Sequence, residues 1–256
     1  MKYFIFILFF SFISSSCSVE IIESKKISNP IPYTIKRILP HDDKAFTQGL
    51  VIHEGRVFES TGLNDSWIAE VDPETGHHEK KVKLGKKYFG EGITVLNNKM
   101  YQLTWKGNIG FIYELDSFEK AGEFYYDFEG WGITHDTEYL IISDGSDSIY
   151  YLDTLDFEIQ KVISVKENNE KVKKINELEF IDGFIYANQW NKNFILKIDP
   201  ESGNVEGKID LTPIARPLKR KNSKADALNG IAYNEQTNEI LVTGKFWPKA
   251  YLIVLD

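Results

Sequence analysis

One glutamate, one lysine and several carboxamides stand beside tryptophans at matching points of a pattern that recurs along this 256-residue chain. Each copy opens on a residue followed by a small or acidic one and then an aliphatic one: Gln48-Gly49-Leu50, Glu91-Gly92-Ile93, Trp131-Gly132-Ile133, Asn176-Glu177-Leu178 and Asn229-Gly230-Ile231. A second matching position, further along each copy, holds Gly62, Trp105, Gly145, Trp190 and Lys245. A repeated scaffold does not dictate what stands at such positions, so their chemical divergence marks them as functional candidates. A carboxylate at Glu91 ringed by Trp105, Trp131 and Phe89 loses hydration, which raises its pKa toward the operating pH and suits general acid/base work. The competing reading is a permanently ionised Glu91 paired with Lys245, which lowers that pKa instead. Lys245 can also stabilise an oxyanion as charge develops on a carbonyl. Phe46 and Phe89 each stand two residues before an opening, as site walls or as contacts between repeats.

Other chemistries find no support. None of the histidines His41, His53, His77, His78 and His135 occupies a matching position or shows zinc-site spacing, so no metal and no cofactor is expected. Phosphate loops, dinucleotide fingerprints and nucleophile elbows are missing. The run from Ser143 to Ser148 reads as a turn, since it lacks the later glutamate of a calcium loop. A net charge of -8 gives no reason to expect nucleic acid as a partner, and the cluster Lys219-Arg220-Lys221 with Lys224 reads as a solvated loop. Glu177 replaces a glycine of the series, either as a second site carboxylate or as a salt-bridge partner.

The elements that must position these residues follow from the spacing. Successive openings are 43, 40, 45 and 53 residues apart, near the length of a four-stranded propeller blade. The first copy contains runs over 48–53, 56–61, 67–71 and 77–84, rich in β-branched and aromatic residues and separated by turn-formers. The last copy lacks a fourth run, and the alternating segment 33–39 can supply it. The expectation is an all-β, five-bladed β-propeller closed by an N-terminal strand, formed by residues 33–256. An open β-sandwich has no need for five copies of one opening. In the propeller the matching positions converge on one mouth of the central channel, an apolar pocket with a few convergent polar groups of the kind that binds a small molecule. A closed ring has no need of a partner strand, so a monomer is expected.

Residues 1–17 read as a signal peptide, with Lys2 ahead of an apolar run too brief to span a bilayer. Cys17, the only cysteine, follows Ser14-Ser15-Ser16 and is either the lipid acceptor of a bacterial lipoprotein or part of a plainly cleaved leader. Residues 18–32 form a polar tether. The chain is therefore expected outside the cytoplasm: periplasmic, lipid-anchored to a membrane, or secreted.

The sequence resembles the plant- and bacterial-type glutaminyl-peptide cyclotransferases over most of its length. The motifs that carry the likeness include Ala45-Phe46-Thr47-Gln48-Gly49-Leu50, Phe89-Gly90-Glu91-Gly92, Gln102-Leu103-Thr104-Trp105, Glu129-Gly130-Trp131-Gly132, Asn188-Gln189-Trp190, Leu228-Asn229-Gly230 and Val242-Thr243-Gly244-Lys245-Phe246-Trp247. The resemblance implies a zinc-independent enzyme that cyclises the N-terminal glutamine of peptides or proteins to pyroglutamate with release of ammonia. It assigns the site to Phe46, Gln48, Phe89, Glu91, Trp105, Trp131, Asn176, Trp190 and Lys245. The alternative is a non-catalytic propeller that binds peptide N-termini or a small ligand.

Overall fold

The computed structural model describes Met1 and residues 29–256. The leader, Cys17 and the tether up to residue 28 lie outside the described residues. Five four-stranded antiparallel sheets follow one another. β1 (Tyr33–Pro40) belongs to the last sheet; the strands of the first are β2 (Thr47–His53), β3 (Arg56–Thr61), β4 (Trp67–Val71) and β5 (His78–Lys83). Next come β6 (Gly90–Leu96), β7 (Lys99–Thr104), β8 (Ile109–Glu114) and β9 (Lys120–Tyr125). The third sheet holds β10 (Ile133–His135), β11 (Tyr139–Ser143), β12 (Ser148–Asp153) and β13 (Ile159–Ser164), followed by a small hairpin of β14 (Lys166–Glu167) and β15 (Glu170–Lys171). The fourth holds β16 (Ile175–Ile181), β17 (Phe184–Gln189), β18 (Phe194–Ile198) and β19 (Val205–Asp210). After helix α1 (Thr212–Lys221), the fifth is made of β20 (Leu228–Asn234), β21 (Glu239–Gly244) and β22 (Lys249–Leu255), with β1 antiparallel to β22 as its outer strand.

Local chemistry explains the hairpins that join the first two strands of a blade. Glu54-Gly55, Asn97-Asn98 and Asp182-Gly183 all have both residues at positive φ, the conformation that two-residue hairpin turns demand and that Gly and Asn tolerate. The core lies between blades rather than inside them: Val51, Phe58 and Ile68 of the first pack on Ile93, Val95 and Met100 of the second. Each such fully buried side chain contributes roughly 1.5–3 kcal/mol.

One irregularity recurs where the functional candidates lie. The register between the first two strands slips in four blades, between Thr47 and Gly49, Gly90 and Ile93, Ile175 and Leu178, and Leu228 and Ile231. A β-bulge of this kind puts two residues opposite one and re-aims a side chain. Here it breaks the alternation at Gln48, Glu91, Asn176 and Asn229.

The basic cluster departs from expectation. Lys219, Arg220 and Lys221 form the last turn of α1 rather than a loop, because Ile214, Ala215 and Leu218 lie on one face and are buried. Pro213 falls in the first turn, where the helix lacks N–H partners in any case.

Candidate active site

The mouth is assembled from strand beginnings and strand ends. Gln48 lies in β2, Glu91 in β6, Asn176 in β16 and Asn229 in β20, while Trp105, Trp190 and Lys245 follow directly after β7, β17 and β21. Gln48, Glu91, Asn176, Asn229 and Lys245 are each at most 5% exposed, whereas Phe46, Phe89, Trp105, Trp131 and Trp190 are half-buried. Polar groups thus form the base and aromatic rings the rim.

The rings touch in sequence. Phe246 meets Phe46 at 5.2 Å between centroids, Phe46 meets Phe89 at 6.1 Å, and Phe89 meets Trp105 at 5.6 Å. Trp131 and Trp190 stand edge to face at 6.0 Å. Between these two groups sits Glu129, whose Oε2 accepts the indole N–H of Trp105 at 2.7 Å and that of Trp131 at 3.1 Å. Two of the matching positions hold glycine because the rings need the space. A Cβ on Gly62 would collide with Phe89, and one on Gly145 would collide with Trp131.

Hydroxyl and amide side chains on the second strands hold the openings in place. Ser60 Oγ donates to the Glu91 carbonyl at 2.5 Å, and Ser143 Oγ donates to the Asn176 carbonyl at 2.7 Å. Asn188 Oδ1 accepts from the Gly230 N–H at 2.9 Å. Each of these residues stands two before Gly62, Gly145 or Trp190, so one repeat position fixes the backbone of the next blade's opening. Asn229 also braces the wall, donating from Nδ2 to the Thr47 carbonyl at 3.0 Å.

Electrostatics separates the two carboxyls of the mouth. Burial pushes Glu91 well above the usual carboxylate range, the Lys245 charge and a hydrogen bond from Gln48 pull it partly back, and the Glu129 charge pushes it up again. Burial also acts upward on Glu129, but the Trp131 and Trp105 N–H groups and Lys106 outweigh it and leave its pKa lowered. Burial lowers Lys245, opposed by the charges of Glu91 and Asp226. Among the described residues Lys245 forms no direct ion pair, and its ammonium lies 4.4 Å from the Phe46 ring centroid. Of the two sequence-level alternatives for Glu91, desolvation outweighs pairing. Buried acceptors Gln48 Oε1 and Asn176 Oδ1 have no hydrogen-bond partner, which leaves them available to N–H donors of a ligand.

Glu177 forms no ion pair among the described residues, so the salt-bridge reading does not hold. Its Oε1 accepts the backbone N–H of Leu50, in another blade, at 3.3 Å. Gly49, Gly92 and Gly132, at the same register in other blades, lie too close to the next blade's backbone to carry a Cβ.

A sizeable cavity lies elsewhere. About 730 Å³ opens at the opposite end of the channel, lined by the hairpin turns of all five blades and by Thr94, Thr134 and Glu179. It contains none of the mouth residues. No group of three or more His, Cys, Asp or Glu able to hold a metal occurs among the described residues. The Ser143–Ser148 segment is a turn, with Asp144 accepting from Ser146 N–H at 2.8 Å and Asp147 paired with Lys171 at 3.0 Å.

Sequence reasoning passed over Glu129, Lys106, Lys174 and Phe246. Register could have found two of them. Position for position, Glu129 and Lys174 stand before Trp131 and Asn176 as Phe46 and Phe89 stand before Gln48 and Glu91.

Comparison with known proteins agrees with this geometry. The profile of the glutamine cyclotransferase family matches residues 8–255. A glutaminyl-peptide cyclotransferase of Arabidopsis thaliana is 38% identical over 221 residues, covering 84% of this chain and 69% of that protein. The crystal structure of Myxococcus xanthus glutaminyl cyclase superposes with a TM-score of 0.84 at 34% identity, covering 89% of this chain and 98% of that one. A Bacteroides caccae protein of unknown function, 12% identical with a TM-score of 0.51 over 65% of this chain and 68% of its own, shares the fold alone.

Proposed function

This chain belongs to the glutamine cyclotransferase family, and we propose that it converts the N-terminal glutamine of peptides or proteins into pyroglutamate with release of ammonia. The observation that carries the mechanism is Glu91: a buried carboxyl with a raised pKa, hydrogen-bonded to Gln48 and facing the charge of Lys245. A buried carboxyl whose pKa is raised can both take and return a proton. In its ionised form Glu91 accepts a proton from the α-ammonium. The freed amine attacks the side-chain carboxamide carbon, forming one C–N bond and a tetrahedral oxyanion. Glu91 then returns the proton to the amide nitrogen as its C–N bond breaks and ammonia leaves, and takes up the second proton that the attacking nitrogen must lose to become the lactam N–H.

Lys245 and the amide N–H groups of Asn176 or Gln48 hold the oxyanion in this proposal. The unpartnered acceptors Gln48 Oε1 and Asn176 Oδ1 receive N–H donors of the glutaminyl group. Phe46, Phe89, Trp105, Trp131 and Trp190 fold the flexible side chain toward its own amine and keep water away, which turns an improbable encounter into a near-attack geometry. The reaction runs on these side chains without zinc. Ammonia release from a Gln-initiated dipeptide, measured with and without a chelator, tests both points. Release unaffected by chelation is expected; no release would leave a binding protein.

We propose export as well, supported by the apolar run before Cys17. The mass of the mature protein tests it, since lipidation and plain cleavage differ by the acyl groups.

A further inference from the structure

We propose that the mouth selects glutaminyl peptides that carry carboxylates in the residues directly after the glutamine. This deepens the cyclisation reading above and rests on it. The evidence is a reversal of charge between the two ends of the channel in a chain whose net charge is -8. At the far end the cavity is bordered by Glu54, Asp136, Asp182 and Glu235, and no Lys or Arg lines it. At the mouth the tryptophan rim is edged by lysines. Lys106 Nζ lies 4.2 Å from the Trp105 ring centroid, and Lys174 Nζ lies 4.8 Å from that of Trp190. Lys173 and Lys192 are exposed on either side of Trp190 in the chain, and the Lys174 carbonyl accepts the Trp190 N–H at 2.9 Å.

Three of these four cations are unpaired. Among the described residues Lys173, Lys174 and Lys192 form no ion pair, while Lys106 is paired with Glu129 at 3.6 Å, a carboxylate that also serves two indoles. Of the neighbouring acids, Asp147 is paired with Lys171, and Asp144 accepts hydrogen bonds from the Ser146 and Tyr150 hydroxyls and keeps its charge, leaving the lysines in excess.

A peptide whose first side chain fills the pocket must lead its second and third residues out across this rim. An extended chain advances about 3.3–3.6 Å per residue, which brings those side chains within reach of the ammonium groups. Carboxylates there gain attraction and lysines meet repulsion. The same positive potential disfavours the protonated α-amine and so favours the free amine that attacks.

The test compares kcat/KM for ammonia release from C-terminally amidated Gln-Ala-Ala, Gln-Glu-Glu and Gln-Lys-Lys. The acidic peptide is expected to exceed the basic one by about tenfold at low ionic strength, the sum of a few exposed ion-pair contributions. In about 1 M salt, where the screening length falls to about 3 Å, the ratio is expected to collapse. In a Lys174→Glu/Lys192→Glu variant the order is expected to invert. Because the ratio is taken within each protein, a general loss of activity cancels. Equal rates for the charged peptides, or a preference unchanged by charge reversal, would overturn the inference while leaving cyclisation intact. Failure of all three peptides would instead remove the cyclisation reading beneath it.

Discussion

Glu91 near the mouth and Glu179 at the far end both stand on innermost strands, both are less than a tenth exposed, and burial raises the pKa of both, that of Glu179 to about 8. Their surroundings differ. Glu179 Oε1 accepts from the Tyr233 N–H at 2.8 Å, and its Oε2 lies 3.4 Å from the Thr134 hydroxyl, so the carboxyl ties three blades together. Glu91 faces a buried ammonium, unpartnered amide oxygens and a second, ionised carboxyl held by indoles. Burial is thus common to both carboxyls, and a cavity of about 730 Å³ borders the far one. What distinguishes the mouth is a set of opposed charges and unspent hydrogen-bonding groups around one acid.

Four substitutions probe that contrast. Glu91→Gln is expected to lower kcat by about 10²–10⁴-fold with the fold intact, and full activity with an unchanged circular dichroism spectrum would remove Glu91 from the mechanism. Lys245→Met should cost about 10²–10³-fold, and it should move the acid limb of the kcat/KM profile to higher pH, because the charge that partly restrains the Glu91 pKa is gone. A limb that stays in place would show that the two groups are not coupled.

Glu179→Gln should leave ammonia release nearly unchanged and alter stability instead. A carboxyl with a raised folded-state pKa favours the fold fully below its unfolded pKa and loses that contribution as pH rises toward about 8. The wild-type unfolding free energy should therefore fall between about pH 5 and 8, by an upper bound of roughly 5 kcal/mol from this group, and Tm with it. The variant should flatten that slope, although Glu177 will keep part of it. The smallest effect is expected for Glu129→Gln: a loss within about tenfold, with the acid limb moving to lower pH because a repelling charge has left the neighbourhood of Glu91. Opposite displacements in the Lys245 and Glu129 variants, read in one titration series, would sharpen the assignment.

The propeller was legible because the opening triplet repeats and its spacing matches a blade, and strand limits such as 56–61 and 67–71 followed from turn-formers on either side. The gathering of the nine candidate residues was legible for a related reason, since a radial repeat brings equal register to one place. Glu129 and Lys174 occupied that register too, but a charged residue where neighbouring copies have phenylalanine resembles a solvated surface position until its partners are seen. The salt-bridge reading of Glu177 failed because a sequence shows that a glycine is missing and does not show that the replacing carboxyl meets a backbone N–H of another blade. Helix α1 was hidden by its two prolines, whose effect depends on where the helix begins.

Glu177 also links separate parts of the ring. Its carboxyl accepts the backbone N–H of Leu50, two blades on, while Gly49, Gly92 and Gly132 lie so close to the backbone of the following blade that a Cβ on any of them would collide with it. A side chain added at one of these glycines would therefore be felt first by the adjacent blade and only then by its own.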